Sequence, residues 1–473
     1  MWDRVEPLLR LVERPSRYLN HEYNSARAPE DCDYRVALLY PDIYEIGQAN
    51  QALAILYQII RDIEGCAVER SYLPWIDMAM LMRQREIPLF SLENCLPIAD
   101  FDLLGITLPH ELAATNILEA LDLAGIPIRS EQRSDDDPLI LGGGPGAFNP
   151  EPIACFFDAI AIGEGEELIV EVIKTHQHLK AQGANRQQIL RALSLIEGIY
   201  IPGFYSYDQV TNGLKPQSEG IPSVIRKRLV KDLDAIPVVT CPVVPYVDVA
   251  HDRLTVEILR GCTRGCRFCQ AGMIYRPVRE RKSDTIIDAI ATGIACTGFE
   301  EVSLISLSST DHSQIAEILR RANSLLSGTA VSVSLPSQRL DAFGVEMAQL
   351  VAGEKKTGLT FAPEAGSQRL RDIINKNVTE DDLFSAVRHA YAAGWRRCKL
   401  YFMIGLPGET DDDILGIVNL ANAAYLTAKD AVPDEQRGSV RMSVSVAVFV
   451  PKPQTPFQWM GQIPLLEIQR RIE

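Results

Sequence analysis

Apolar and polar positions alternate in two long stretches of this chain, and in each stretch strand-like runs are followed by amphipathic, helix-like segments. In the first stretch the apolar runs are Val36–Tyr40, Leu103–Leu108, Leu139–Leu141 and Asp158–Ile162, and the helix-like segments are Ala49–Ile63, Glu111–Ala124 and the residues after Glu166. Glycine-rich breaks at residues 142–146 and 163–166 follow two of these runs. The pattern predicts a doubly wound parallel α/β sheet, which binds ligands at the carboxyl ends of its strands.

The second stretch begins near residue 254 and also alternates strand-like and helix-like sequence. Its apolar runs are Leu254–Leu259, Val302–Leu307, Ala330–Leu335, Gly358–Phe361, Lys399–Ile404 and Val444–Val450. Helix-like sequence separates each pair of runs, as crossover connections between parallel strands require. These six runs predict a partial (β/α)6 barrel.

The patterns divide the chain into five predicted segments. These are an arm at 1–33, an α/β domain at 34–182, a connecting segment at 183–249, a barrel domain at 250–462 and the start of an amphipathic helix at 463–473. The last helix stops in mid-pattern, with no glycine or proline after it. We therefore expect this helix to continue in a longer protein.

The composition is that of a folded globular protein. With 473 residues, of which 47% are hydrophobic, the chain has room for a large core and, at about 150 residues per domain, for roughly two to four domains. The net charge of -15 argues against a uniformly basic nucleic-acid-binding surface, although a local basic contact remains open. No apolar run approaches the roughly 20 residues of a membrane-spanning helix, and Met1 is followed by a polar segment. The sequence therefore predicts a cytoplasmic protein without a membrane association.

Three of the ten cysteines, Cys262, Cys266 and Cys269, form a CxxxCxxC pattern directly after the first predicted barrel strand. The other seven are scattered, as is typical of reduced, small apolar residues. Three thiolates at this spacing suit zinc or an iron–sulfur cluster, and a cluster iron can leave one position to a substrate or cofactor. Structural zinc needs a fourth protein ligand, for which His251 and His312 are candidates; otherwise both are ordinary surface or core histidines.

The CxxxCxxC loop resembles that of the radical S-adenosylmethionine superfamily. In that superfamily the three cysteines hold a four-iron four-sulfur cluster, and the amino and carboxylate groups of S-adenosylmethionine bind the remaining iron. The resemblance therefore implies that Cys262, Cys266 and Cys269 bind such a cluster, with S-adenosylmethionine as the second cofactor.

Further stretches at the predicted strand ends resemble the superfamily's contacts with S-adenosylmethionine. Two serines replace the glycines of its usual Gly-Gly-Glu turn, and residues 448–457 are similar to the last-strand motif of methylthiotransferase-like and cobalamin-associated members. The implied contacts are Ser308, Ser309 and Asp311 for the methionine amino group, Glu364 and Arg369 for the ribose and carboxylate, and Gly405, Pro407 and Gly408 beside the adenine.

The first domain resembles the cobalamin-binding domain of one branch of the superfamily. That domain has Asp-x-His-x-x-Gly after its first strand, then a serine or threonine at a later strand end, and then a Gly-Gly turn. The matching residues are Asp42, Tyr44, Gly47, Thr107, Gly142 and Gly143. Tyrosine replaces the histidine that binds cobalt, and a phenol with a pKa of about 10 is a poorer ligand than neutral imidazole. Three interpretations stay open: cobalamin bound without a protein ligand, a domain that binds something else, or a structural lid.

Together these features predict an enzyme that reductively cleaves S-adenosylmethionine to a 5′-deoxyadenosyl radical, with an electron donor such as flavodoxin or ferredoxin. The radical would modify an unidentified small-molecule or RNA-related substrate by methyl transfer, methylthio transfer or a rearrangement. The alternative from another class is a non-catalytic redox sensor or scaffold linked to the cluster and cobalamin. A zinc-stapled binding module is the third interpretation.

Overall fold

The computed structural model describes residues 1–29, 31–336, 339–342, 344, 346–347, 350 and 358–473. Within these residues the chain forms two compact units, Met1–Asp252 and Arg253–Glu473. Each unit has its own sheets and its own hydrophobic core. No helix in the described part of the chain is long and apolar enough to cross a membrane.

The first unit contains one large sheet and a short hairpin. Its strands are β1 (Tyr34–Tyr40), β2 (Cys66–Tyr72), β3 (Leu103–Thr107), β4 (Leu139–Gly143), β5 (Ala159–Ala161), β6 (Ile199–Tyr200), β7 (Tyr205–Asp208) and β8 (Gly213–Pro216). Its longer helices are α1 (Gln51–Arg61), α2 (Ile76–Gln84), α3 (Ala114–Ala124), α4 (Gly165–Ala181) and α5 (Arg186–Leu193).

The large sheet has the strand order β2-β1-β3-β4-β5-β6. Strands β1 to β5 pair in parallel, and β6 adds an antiparallel edge. The chain order reverses between β1 and β3, which is the switch point where doubly wound sheets bind ligands. The predicted doubly wound α/β fold is confirmed.

Both faces of this sheet are buried, as a parallel sheet between helices requires. Along β1, Ala37 and Leu39 belong to one core cluster, whereas Val36 and Leu38 belong to the cluster on the opposite face. The alternation follows from the two-residue repeat of a strand. Helix α1 begins at a conventional cap, since the Asn50 side chain accepts a hydrogen bond from the Leu53 amide.

Strand β2 was missed by the sequence pattern because its centre is polar. All seven of its residues are buried, including Glu69, Arg70 and Ser71. Buried charges of this kind require partners. Arg70 finds them in Glu22 of the arm and in Glu93, at 2.6 and 2.7 Å.

The arm and the connecting segment are attached to the sheet of the first unit. Tyr23 forms an antiparallel bridge with Val244, and Gly163 forms a parallel bridge with Arg228. Gly163 has φ +116°, and a Cβ there would lie 2.3 Å from the Arg228 carbonyl oxygen. The glycine after β5 therefore serves a close approach of two chain segments.

The described part of the second unit contains six parallel strands with helices between them and a short antiparallel pair of strands. Its strands are β9 (Leu254–Glu257), β10 (Leu259–Arg260), β11 (Arg279–Glu280), β12 (Glu301–Ile305), β13 (Ser332–Ser334), β14 (Leu359–Glu364), β15 (Arg397–Ile404) and β16 (Arg441–Val448). Its longer described helices are α6 (Ser283–Thr297), α7 (Ile315–Leu325), α8 (Glu380–Ala392), α9 (Asp411–Asp430) and α10 (Leu465–Ile472).

The six parallel strands form two three-stranded sheets, in the orders β13-β12-β9 and β14-β15-β16. Leu400 and Phe402 of β15 are buried in a cluster that includes residues of α8 and α9. Tyr401, which points the other way, is 39% exposed. One covered and one open face are typical of a partial barrel, so the predicted fold of this unit is confirmed as well.

Candidate active site

The CxxxCxxC loop is flanked by the two short strands of a hairpin in the second unit. Strands β10 and β11 pair antiparallel at the two ends of the loop. Gly261 follows β10 with φ +89°, and a Cβ there would lie 2.7 Å from the carbonyl oxygen of Pro277. The loop is therefore closed at its base, and only glycine fits the crossing of its two ends.

All three cysteines of the loop are partly buried and free of disulfides. The Gly272 amide donates a hydrogen bond to Cys269 Sγ at 3.4 Å, where the short helix Ala271–Ile274 begins. Burial raises the pKa of the Cys266 thiol, and the Lys376 ammonium is the largest of the influences that oppose this rise. Cys266 and Cys269 thus each have one neighbouring group that favours the thiolate, although burial outweighs it at Cys266.

A turn at Ile373–Lys376, which we call the clamp turn, runs alongside the middle of the loop. Arg267 donates from its amide to the Ile374 carbonyl at 3.0 Å and from Nη1 to the Ile373 carbonyl at 2.6 Å. Asn375 Nδ2 donates to the Gly265 carbonyl at 2.9 Å. Sequence reasoning missed this turn, although asparagine is favoured at the left-handed φ of +54° that Asn375 adopts.

The end of β12 contacts the loop on another side. Ser308 Oγ and Thr263 Oγ1 donate to Asp311 Oδ2 at 2.9 and 3.3 Å. Arg264, between the first two cysteines, lies 3.5 Å from the other oxygen of Asp311. Asp311 is thus already bound to the CxxxCxxC loop, which we call the cluster loop, and the sequence did not reveal this role.

Two buried polar atoms near this strand end have no hydrogen-bond partner among the described residues. They are Arg264 Nε and Thr310 Oγ1. Because an unpaired buried donor costs free energy, such atoms call for a ligand or water. Arg264 Nε and Thr310 Oγ1 can each donate a hydrogen bond to an acceptor oxygen.

The two candidate residues after β14 point to different neighbours. Glu364 pairs with Lys376 of the clamp turn at 3.0 Å. Arg369 is about half exposed, pairs with Asp413 and donates to the Gly408 carbonyl at 2.9 Å. The structure therefore brings Glu364 to the cluster loop and Arg369 to the loop after β15.

The loop after β15 contains the candidate residues Gly405, Pro407 and Gly408. Both glycines have left-handed φ values, +82° and +78°. Asp413 at the start of α9 accepts hydrogen bonds from the Thr410 amide and hydroxyl, both at 2.8 Å, and from the Ser367 hydroxyl. Asp413 therefore joins the ends of β14 and β15, and no sequence pattern distinguishes it from the neighbouring aspartates.

In the first unit, Tyr44 is turned toward the protein interior. It is 2% exposed, its hydroxyl donates to Glu22, and its ring meets the edge of Tyr72 at 5.2 Å. Burial, followed by the Glu22 carboxylate, holds the pKa of the Tyr44 phenol well above its ordinary value. Tyr44 is thus a hydrogen-bond donor to a carboxylate.

The other candidate residues of this unit share one edge of the sheet. Thr107 and Gly143 are register partners at the carboxyl ends of β3 and β4. A Cβ on Gly142 would lie 2.9 Å from the Phe157 ring, and one on Gly47 would lie 2.5 Å from Tyr72. Both of these glycines therefore accommodate aromatic rings of the protein itself.

His312, a candidate fourth zinc ligand, is fully engaged. It is 3% exposed, its Nδ1 accepts from the Gln314 amide at 3.0 Å, and its Nε2 lies 2.9 Å from the Arg281 carbonyl. His251 is exposed. Among the described residues, no three His, Cys, Asp or Glu side chains converge on a point suited to one metal ion. A four-iron cluster is larger than a single ion and holds its thiolates farther apart.

Two protein-family models match the chain. One is described as radical SAM proteins, N-terminal, and covers residues 52–202; the other is described as the radical SAM superfamily and covers residues 256–421. The uncharacterised protein MJ0966 of Methanocaldococcus jannaschii is 30% identical over 431 residues, which are 89% of this chain and 79% of that protein. The tRNA-2-methylthio-N(6)-dimethylallyladenosine synthase of Syntrophomonas wolfei is 26% identical over 46% of this chain and 47% of that protein, about half its length.

Solved structures share the fold of nearly the whole chain. The radical S-adenosylmethionine methyltransferase TsrM from Kitasatospora setae, with tryptophan and a SAM analogue bound, matches with a TM-score of 0.60 at 16% identity, over 90% of this chain and 75% of that one. The cobalamin-dependent radical enzyme OxsB matches with a TM-score of 0.58 at 15% identity, over 93% of this chain and 61% of that one. At these identities the likeness shows the fold alone.

Proposed function

The chain belongs to the radical S-adenosylmethionine superfamily, and we propose that Cys262, Cys266 and Cys269 hold the iron–sulfur cluster with which it cleaves S-adenosylmethionine. The observation that carries this proposal is the cluster loop. It presents three thiols and is hydrogen-bonded to the clamp turn and to Asp311. Two buried donors, Arg264 Nε within the loop and Thr310 Oγ1 near it, have no partner in the described part of the chain. An enzyme is thus favoured over the sensor and the zinc module.

When bound to the reduced cluster, S-adenosylmethionine supplies a 5′-deoxyadenosyl radical that removes a hydrogen atom from the substrate. Arg264 Nε and Thr310 Oγ1 would donate to its methionine carboxylate. Ser308 and Ser309 would line the methionine end. Glu364, Arg369 and the backbone of Gly405, Pro407 and Gly408 would orient the ribose and adenine. Fixing these groups and excluding water directs the radical to one substrate atom.

Cobalamin is the third candidate cofactor, and the first unit offers it a sheet edge but no ligand at the position of the family histidine. The Tyr44 phenol is protonated, buried and bonded to Glu22. A neutral phenol committed to a carboxylate does not fit as a cobalt ligand. Cobalamin bound by this unit would therefore be held through contacts with other residues, and we derive no reaction step through it.

Methyl transfer to a small molecule or an RNA is the reaction class that we favour. The fold likeness to the methyltransferase TsrM extends over both units. Methylthio transfer, the reaction named for the tRNA synthase relative, would be favoured by a second cluster. The cysteines of the first-unit sheet region, Cys32, Cys66, Cys95 and Cys155, are scattered along the sequence, and their spacing does not support a second cluster. An external one-electron donor of the flavodoxin or ferredoxin type completes the proposal.

The decisive experiment is anaerobic purification and iron–sulfur reconstitution, followed by S-adenosylmethionine and dithionite. We expect 5′-deoxyadenosine to form, and Cys266→Ala to reduce it to background with loss of cluster absorption. Cys155→Ala is the matched control, because Cys155 is an exposed cysteine of the first unit. Its product yield should equal that of the parent protein.

Two results would overturn the proposal. One is a protein that takes up zinc and no iron. The other is 5′-deoxyadenosine formation that continues undiminished in Cys266→Ala. Cobalamin uptake is read from the same visible spectrum and has no bearing on either result.

A further inference from the structure

The clamp turn contacts the cluster loop on both sides of the central cysteine. Asn375 bonds to Gly265, directly before Cys266, and the Ile373 and Ile374 carbonyls accept from Arg267, directly after it. Three hydrogen bonds therefore fix the backbone around one cluster ligand. The next residue of the turn is Lys376.

Lys376 is held in place by an ion pair. Its Nζ lies 3.0 Å from Glu364 Oε1, and the two side chains are 19% and 15% exposed. Glu364 adopts a left-handed φ of +71°, which is strained for a residue with a side chain. Strain of this kind is retained where the surroundings impose it, commonly at functional sites.

The charges of this pair act on the cluster loop with opposite signs. Lys376 directly follows Asn375, whose side chain bonds to the Gly265 carbonyl next to Cys266, and Glu364 is the ion-pair partner of Lys376 at 3.0 Å. Water screens the pair weakly because both side chains are mostly buried. A change of charge at Cys266 is therefore felt by Lys376 and by Glu364.

We propose that Lys376 is a positioning residue that sets the reduction potential of the cluster, by placing a positive charge beside Cys266, and that Glu364 moderates this effect. The inference rests on the proposed assignment of Cys266 as a cluster ligand. One electron from an external reductant adds one negative charge to the cluster, with no bond made or broken. A fixed cation nearby favours that charge, and a fixed anion opposes it.

The test is a redox titration of the reconstituted full chain, with dithionite as reductant, followed by electron paramagnetic resonance without S-adenosylmethionine. Lys376→Met should lower the ratio of reduced to oxidised cluster at a fixed potential by about tenfold, which is about 59 mV for one electron. Glu364→Gln should raise that ratio. Lys376→Arg should stay close to the parent.

Lys429→Met is the matched control. It removes the same charge from the last turn of α9, where Lys429 lies over the Tyr425 ring at 4.7 Å. The ratio in this variant should equal that of the parent. Iron content is measured in every variant, so that potentials are compared between fully loaded proteins.

Several results would overturn the inference. If the fully loaded Lys376→Met protein has the same cluster reduction potential as the parent, the inference is wrong, whether or not S-adenosylmethionine binding is weakened. Shifts of the same sign in Lys376→Met and Glu364→Gln would indicate a loosened loop and no charge effect. If Lys376→Met does not retain iron, Glu364→Gln alone decides by the direction of its shift. A parent protein that binds no cluster would instead refute the proposed function.

Discussion

The turn after β1 and the loop after β10 both resemble superfamily motifs, yet their environments differ in kind. In the first unit Tyr44 donates to Glu22, Glu45 pairs with Arg17, and Gly47 packs under Tyr72. These partners belong to the same unit, so the side chains of the turn are engaged in contacts within the protein; we call such groups committed. The side chains of this turn therefore take part in packing and ion pairs within the first unit.

In the second unit the protein binds the backbone of the cysteine loop and leaves ligand atoms available. The Gly265 and Arg267 backbone groups are hydrogen-bonded, whereas Arg264 Nε and Thr310 Oγ1 are buried and have no partner among the residues that the structure describes. A motif therefore indicates where a site is located. Whether its functional atoms are still open decides whether it can bind a cofactor.

The largest effect is expected at Arg70, the centre of the committed network in the first unit. Arg70→Met removes a fully buried guanidinium and leaves Glu22 and Glu93 without their cation. We expect a loss of about 3–5 kcal/mol in the free energy of unfolding, because two buried carboxylates lose their partner. Urea denaturation of the full chain, followed by tryptophan fluorescence, measures it.

Arg83→Met is the control for this prediction. Arg83 also pairs with two carboxylates, but its side chain is 45% exposed. Exposed pairs contribute about 0–1 kcal/mol. Equal losses in the two variants would show that the Arg70 network is no more important than a surface ion pair.

Buried His176, a second committed group, predicts that the stability of the protein depends on pH. His176 lies 2.5 Å from the Tyr34 hydroxyl, and burial lowers its pKa to about 4. The unfolded chain, with a histidine pKa of about 6.5, binds the proton first as the pH falls. Stability is therefore fully present above pH of about 6.5 and is lost toward pH of about 4, by about 2 kcal/mol between pH of about 7 and 5.

His176→Phe isolates this contribution. As the pH falls from about 7 to about 5, this variant should lose about 2 kcal/mol less of its unfolding free energy than the parent does. Parallel pH profiles would mean that His176 is not held neutral.

The fold was largely predictable because both sheets are built from apolar runs that alternate with helices. The exception, β2, has Glu69 and Arg70 at its centre and finds its partners in Glu22 and Glu93, far away in the sequence. Periodicity detects apolar burial and has no access to charges that are neutralised by distant segments.

The candidate site shows the same limit. The cysteine spacing is local and identified the loop. Lys376 and Asn375 lie more than a hundred residues further along the chain, and only the folding of the second unit brings them to the loop. Asp413 is one of three consecutive aspartates, Asp411 to Asp413, and only the structure shows which of them accepts from Ser367. The roles of the predicted contact residues themselves remain predictions.

A smaller effect tests whether Tyr44 is truly committed. Tyr44→Phe removes the hydroxyl that donates to Glu22 and should lower stability by about 1 kcal/mol. If the protein takes up cobalamin, the visible spectrum of the bound cofactor should be identical in this variant and in the parent. A spectral shift in Tyr44→Phe would show that the phenol reaches the cobalt. The turn after β1 would then bind a cofactor directly, as we propose for the loop after β10.

The smallest effect concerns the backbone contacts of the cysteine loop. Asn375→Ala removes one hydrogen bond to Gly265, at a cost of about 1 kcal/mol, and should leave the global unfolding midpoint nearly unchanged. Because the lost bond lies beside Cys266, its cost falls on the loop, and iron should be released severalfold faster to a chelator. Asn323→Ala, which removes a bond to the Leu350 carbonyl, provides the control. Equal release rates in the two variants would mean that the thiols alone hold the loop in place and that the clamp turn has no part in retaining the cluster.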